Sequence, residues 1–278
     1  MALSEADDTE TADHRRGSLV ECAEITVRGQ PARVFVGGAG DALLLVHGGW
    51  GGAELHWNQV WNPLAKRYRV IAPDLPGLGW VQQPALSSVR AYAGWLLDLL
   101  DALGVERACC VGNSFGASVV WSLAGRAPDR CAGLVLVDGL PMPRTPLPLR
   151  LLSNSWVART LVLRMVGKYS YSMTAVPRAF HDPAHAPAQL DQLSTFEWPI
   201  ILPRFVDLLV AGDGPPDPIV KPLLLWGASD RLFGTTREDA ERLHRRLSGS
   251  TLRWIENAGH FPQLEAPKEF VEALGARV

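Results

Sequence analysis

The stretch Cys109-Cys110-Val111-Gly112-Asn113-Ser114-Phe115-Gly116-Ala117-Ser118 constrains this chain more than any other. Apolar residues 108–111 read as a buried strand, and residues 119–124 continue with the burial pattern of a helix. Ser114 stands between them at the tip of a turn. Gly112 and Gly116 flank it at the two positions where a Cβ would clash if strand and helix were brought that close. Such a G-x-S-x-G turn lifts a serine hydroxyl above a sheet and opens a helix whose N-terminal amides favour negative charge. The plainer alternative is a strand–helix turn with an incidental serine, so the rest of the chain has to decide.

Around this turn the chain keeps a strand–helix beat. Residues 25–28 and 32–36 alternate and read as an antiparallel hairpin joined through Gly29-Gln30-Pro31. Residues 43–46, 69–72, 134–137 and 223–226 are short apolar runs suited to strands buried on both faces, and residues 251–255 read as a further strand. Helices are expected over residues 55–65, 88–103, 236–247 and 267–274, with Ser87 or Ser88 capping the second and Gly104 ending it. The beat breaks between Pro141 and Pro218, where prolines, aromatics and leucines crowd and helices are expected over 151–166 and 190–209. The expected organisation is therefore a tail over residues 1–17, a core made of 18–139 and 219–278, and a helical cap over 140–218. The fold class is α/β: an eight-stranded, mostly parallel sheet with helices on both faces and the cap inserted after strand six.

Bulk properties exclude several classes. The chain has 278 residues, enough for one large α/β domain or two small ones, and its 47% hydrophobic and 20% charged residues are ordinary for a soluble globular protein. A net charge of −2 with no basic run argues against a nucleic-acid partner. Cys22, Cys109, Cys110 and Cys131 show neither a disulfide framework nor zinc spacing. Adjacent Cys109 and Cys110 should point to opposite sheet faces, and reduced buried thiols suit a cytoplasmic protein. Residues 1–17 are polar and read as neither signal peptide nor anchor, and no apolar stretch reaches membrane-spanning length.

In parallel sheets sites form at the carboxyl ends of strands. Each unusual polar residue falls at such an end: His47, Asp74, Ser114, Asp138, Asp230 and His260. A serine hydroxyl needs a base, and the base needs an orienting acid. His260 follows the last strand and Asp230 the one before it, giving the order Ser, Asp, His; Asp138 is the alternative acid. His47 precedes a glycine run, which suggests that its imidazole fixes the loop. Backbone amides of Phe115 and of Gly49, with Trp50 as the neighbouring candidate, would stabilise an oxyanion. Loss of one such donor typically costs roughly 10²–10³ in rate. The glycine run matches no nucleotide-binding pattern.

Together His47-Gly48-Gly49, Asp74-Leu75-Pro76-Gly77-x-Gly79, Gly112-x-Ser114-x-Gly116, Asp230 and Gly259-His260-Phe261 resemble the α/β-hydrolase superfamily from about Ile25 to the C-terminus, the cap excluded. Within it, residues 47–52 and 259–265 look most like the capped branch of meta-cleavage product (carbon–carbon bond) hydrolases, esterases and cofactor-free haloperoxidase-like enzymes. The resemblance implies Ser114, Asp230 and His260 as a triad, no cofactor and no metal. It argues against epoxide hydrolases and haloalkane dehalogenases, whose elbow nucleophile is Asp. Trp80 departs from the small or polar residue common after Gly79.

The aromatic residues of the cap and its rim (Trp50, Trp156, Tyr169, Tyr171, Phe180, Phe196, Trp198, Phe205, Phe233 and Phe261) suggest a medium-sized apolar or aromatic carbonyl substrate. The leading expectation is a serine hydrolase cleaving an ester, lactone or activated carbon–carbon bond. Lyase, cyclase or transferase chemistry on the same fold, and a non-catalytic small-molecule receptor, are the competing ones. The expected partner is a small molecule, with no membrane and with a homodimer as the assembly to test.

Overall fold

The computed structural model describes residues 18–49, 51–79, 83–142, 179–186, 214–232 and 235–275, together with Thr160, Ile201, Pro203, Arg204, Asp207 and Leu208. Eight strands form one sheet: β1 (Val20–Val27), β2 (Gln30–Gly37), β3 (Ala42–Val46), β4 (Arg69–Pro73), β5 (Ala108–Asn113), β6 (Cys131–Val137), β7 (Leu223–Gly227) and β8 (Thr251–Ile255). Their order across the sheet is β1-β2-β4-β3-β5-β6-β7-β8. The pairs β1–β2 and β2–β4 are antiparallel, and every later pair is parallel. Outside residues 140–218, the α-helices among the described residues are α1 (Ala53–Trp57), α2 (Trp61–Ala65), α3 (Val89–Ala102), α4 (Phe115–Arg126), α5 (Arg237–Arg246), α6 (Pro262–Glu265) and α7 (Pro267–Gly275).

The central strands are apolar throughout because both their faces are covered. Leu44 and Val46 of β3 enter a core with α3, α4 and α5, whereas Leu43 and Leu45 enter the opposite core with α1, α2 and α7. Cys110 and Cys109 divide in the same way, and none of the four cysteines is in a disulfide. Burial pushes the Cys109 thiol up to about 12, so at neutral pH it is an uncharged packing group.

Two local features differ from the sequence expectation. The helix expected over 55–65 is two short helices, α1 and α2. Pro63 explains the break: in one continuous helix its ring would clash with the carbonyl of Gln59, whereas it is tolerated in the first turn of α2. The β1–β2 turn lies one residue earlier than expected. Val27 pairs with Gln30, and Arg28 and Gly29 both take left-handed backbone, with φ 53° and 74°. Two consecutive left-handed residues match the twist of the flanking strands, and the open site at Gly29 suits it. By contrast, Ser88 caps α3 as expected, accepting from the Ala91 amide at 3.1 Å.

The cap expected over 140–218 lies mostly outside the described residues, as do most positions of the helices expected over 151–166 and 190–209. Within it, Ile201 and Leu208 join the α3–α5 core. The Arg204 guanidinium donates to the Gly77 carbonyl at 2.6 Å, which ties Arg204 to the loop that follows β4. Among the described residues, no helix is long and apolar enough to cross a membrane.

Candidate active site

The polar residues singled out in the sequence all gather at the carboxyl edge of the parallel strands, following β3, β4, β5, β6, β7 and β8 in turn. His47, Asp74, Asp138, Asp230 and His260 are all buried there, and Ser114 is half-buried.

Ser114 joins β5 to α4 with φ 53° and ψ −116°, a backbone region that costs a non-glycine residue roughly 1–3 kcal/mol. Several contacts hold it there. The Ser114 amide donates to the Val137 carbonyl at 2.9 Å. A Cβ on Gly112 would lie 2.3 Å from the Gly116 carbonyl oxygen, and one on Gly116 would lie 2.3 Å from that of Val46. Only hydrogen at both positions lets α4 start this close to β5 and β3. The Phe115 amide opens α4, and the Phe115 ring packs edge-on against Tyr92, centroids 5.6 Å apart.

His260 is fixed on three sides. Its amide donates to the Ala179 carbonyl at 2.6 Å. Its own carbonyl accepts from Asn113 Nδ2 at 3.1 Å, which ties it to the residue before Ser114. Its Nδ1 meets Asp230 Oδ2 at 2.8 Å, with Thr235 Oγ1 at a longer 3.4 Å. A carboxylate facing Nδ1 selects the tautomer protonated there and leaves Nε2 as the lone-pair nitrogen. The other Asp230 oxygen accepts the Leu232 amide at 2.9 Å.

Asp138 lies one strand away. Its Oδ1 accepts the Gly227 amide at 2.9 Å, and its Oδ2 has no hydrogen-bond partner. Asp138, Asp230 and His260 each place a donor atom within 4.8 Å of the others'. An ion seated among these groups would compete with His260 for Asp230.

His47 holds the preceding loop as expected. Its Nδ1 donates to the Gly48 carbonyl at 2.6 Å, and Nε2 accepts the Leu75 amide at 2.8 Å. Burial lowers its pKa and favours this neutral, two-ended use of the ring. Gly48 is wedged against the site, since a Cβ there would lie 3.1 Å from Ser114 Cβ and 3.0 Å from His56 Cε1. Gly49 is buried beside it; Trp50 lies outside the described residues, as does Trp80.

Four contributors were not picked out in the sequence. Asn113 ties β5 to His260, and Ala179 anchors the His260 amide. His56 packs against Gly48 and Phe261. Glu265 accepts the amides of Gly259 at 2.6 Å, His181 at 2.8 Å and Asp182 at 3.1 Å. Only Glu265 had a local signal, its place in the Gly259–Glu265 motif. The others depend on which loops meet in space. Of the aromatic rim, Phe180 and Phe261 stack at 5.2 Å and Phe261 packs edge-on against His260; the remaining residues of that set lie outside the described ones.

Residues 43–273 match the alpha/beta hydrolase family. The chain belongs to that family. Among the relatives of this α/β-hydrolase, an uncharacterised protein of Mycobacterium tuberculosis is 30% identical over 275 residues, 90% of this chain and 78% of that one. The 2-hydroxy-6-oxo-2,4-heptadienoate hydrolase of Pseudomonas putida is 30% identical over 260 residues, 85% of this chain and 88% of that one. A solved bacterial membrane phospholipase A superposes with a TM-score of 0.75 at 23% identity, covering 97% of this chain and 89% of that one, a likeness of fold. The chain is thus a hydrolase of the α/β-hydrolase type.

Proposed function

We propose that this α/β-hydrolase is a serine hydrolase acting through Ser114, His260 and Asp230. The buried 2.8 Å contact between His260 Nδ1 and Asp230 Oδ2 carries the reading. It presents an imidazole whose Nε2 can take the Ser114 proton and later deliver it to the leaving group. Asp230 holds the tautomer and stabilises the imidazolium. The Phe115 and Gly49 amides, with Trp50 as the neighbouring candidate, receive the developing oxyanion.

The substrate is a medium-sized apolar or aromatic carbonyl compound bearing an ester, a lactone or an activated carbon–carbon bond. The Phe180–Phe261 stack beside His260 supports an apolar acyl site. The dienoate hydrolase of Pseudomonas putida, similar over most of both chains, supports the carbon–carbon option within that class. A rate profile that stays flat from acetyl to long or aromatic acyl esters would remove the apolar preference.

The decisive experiment is intact mass after a fluorophosphonate probe, on the wild type and on Ser114→Ala. A single stoichiometric adduct that the variant lacks is expected, with hydrolysis falling by about 10³-fold or more in the variant. No adduct on a folded wild type would overturn the serine-hydrolase reading in favour of non-hydrolytic chemistry or ligand reception.

A further inference from the structure

Two acids end neighbouring strands at this site, and their surroundings are unequal. Asp230 accepts two donors, His260 Nδ1–H and the Leu232 amide. Asp138 is fully buried, held at φ 41°, and accepts one, the Gly227 amide. Its second oxygen has no partner, and one of its two oxygens lies within 4.8 Å of an Asp230 carboxylate oxygen and of a His260 ring nitrogen. Among the described residues, the charged or titratable groups acting on it are Asp230, Glu265 and His260. A second carboxylate charge in that place would lie beside that of Asp230, with the Gly227 amide as the hydrogen bond that favours it.

We propose that Asp138 is a protonated positioning residue whose carboxyl O–H is directed at the Asp230 carboxylate, so that His260 is backed by a carboxyl pair holding one proton between them. The inference rests on the triad reading above. It differs from both simpler alternatives, in which one aspartate serves and the other is a bystander. Burial first, and then the Asp230 charge, push the Asp138 carboxyl well above the usual carboxylate range, in agreement with that placement of the proton.

The consequence is a tuned base. A neutral O–H donated to Asp230 disperses part of its charge, so Asp230 stabilises the His260 imidazolium less than a lone aspartate would. The base is then available at lower pH. Asp138→Asn keeps an uncharged donor of the same shape beside Asp230. Asp138→Ala removes the donor.

The test is the second-order rate of fluorophosphonate labelling of Ser114 against pH, for wild type, Asp138→Asn and Asp138→Ala. Asp138→Asn should keep the midpoint of the acid limb, and Asp138→Ala should raise it by about one unit. If Asp138 is ionised in the resting protein, Asp138→Asn removes a negative charge and the midpoint falls; that result overturns the proposal, as does an unchanged midpoint in Asp138→Ala. A second readout does not depend on Ser114 reactivity: carboxyl carbon NMR of Ser114→Ala with labelled aspartate. One protonated aspartate at pH 7, absent when Asp138→Asn is added, is expected. Its absence overturns the proposal even if Asp138→Ala fails to fold. A wild type that does not label but shows the protonated aspartate would break the triad reading and leave the carboxyl pair standing.

Discussion

The two ends of the parallel strands obey different rules. At the carboxyl edge His47, Asp74, Asn113, Asp138, Asp230 and His260 are all buried, Ser114, Asp138 and Asn257 have positive φ, and Asn113 Oδ1 and Asp138 Oδ2 lack partners. At the amino edge β5, β6 and β7 begin with Ala108, Cys109, Cys110, Cys131 and Leu223, packed apolar groups. Charges near it remain towards solvent, as in the Arg130–Asp101 pair at 2.6 Å. A groove of about 500 Å³ at that end, lined in part by Glu106, Arg107, Ile219 and Val220, is far from the triad candidates. The amino edge and the two cores supply stability, and the carboxyl edge uses some of it to hold strained backbone and buried polar groups in place.

The largest expected effect comes from disturbing the strained edge. In Gly112→Ala the new methyl would meet the Gly116 oxygen at 2.3 Å and the Ala117 nitrogen at 2.6 Å, all of it backbone that cannot rotate away. The variant should lose about 3 kcal/mol or more of stability, at or beyond the upper end of overpacking costs. Fluorophosphonate labelling should fall with it, because α4 must move and Ser114 moves too. Urea unfolding that matches wild type would show the close approach of α4 and β5 to be less tight than described.

A moderate effect is expected from His47 on the same edge. Its folded pKa is lowered from 6.5 by burial, so below that pH the unfolded chain binds the extra proton and the folded chain resists it. Stability from this group is therefore fully present above about pH 6.5 and declines as pH falls towards the folded pKa, by up to about 1.4 kcal/mol per unit. Unfolding free energies measured between about pH 5 and 7 should show a shallower decline in His47→Asn, which is less stable at every pH. Parallel slopes would remove His47 as the source.

What could be read without coordinates follows the same division. The apolar runs announced every central strand, because burial on both faces leaves no other composition available. The elbow was legible because the glycines that permit the close approach sit within four residues of one another. The break at Pro63 was legible in principle, since an interior proline obstructs the preceding turn. The early strand β1, from Val20, was shortened because its alternation begins in polar residues. Distances between strand ends were not legible. Chain order favoured Asp230 over Asp138, but which acid meets His260, and that the second lies close by, depends on sheet neighbours rather than spacing. The bonds from Asn113 and Ala179 to His260 join residues far apart in sequence and had no local sign.

The smallest effects belong to the amino edge. Cys110 is buried in the α3–α5 core, where its Cys131 neighbour and then burial raise its thiol well above the ordinary range. Cys110→Ala deletes one buried atom and should cost about 1 kcal/mol. Because that end holds none of the polar groups at the carboxyl edge, labelling of Ser114 should stay within about twofold of wild type. Alkylation gives an independent check. At neutral pH the exposed Cys22 should react in the folded protein, whereas Cys109, Cys110 and Cys131 should react only in urea. A Cys110→Ala protein that keeps its stability but loses Ser114 labelling would mean that the two ends are coupled through β5, contrary to the contrast drawn between them. Unchanged labelling with a small stability loss would confine the chemistry to one edge of the sheet.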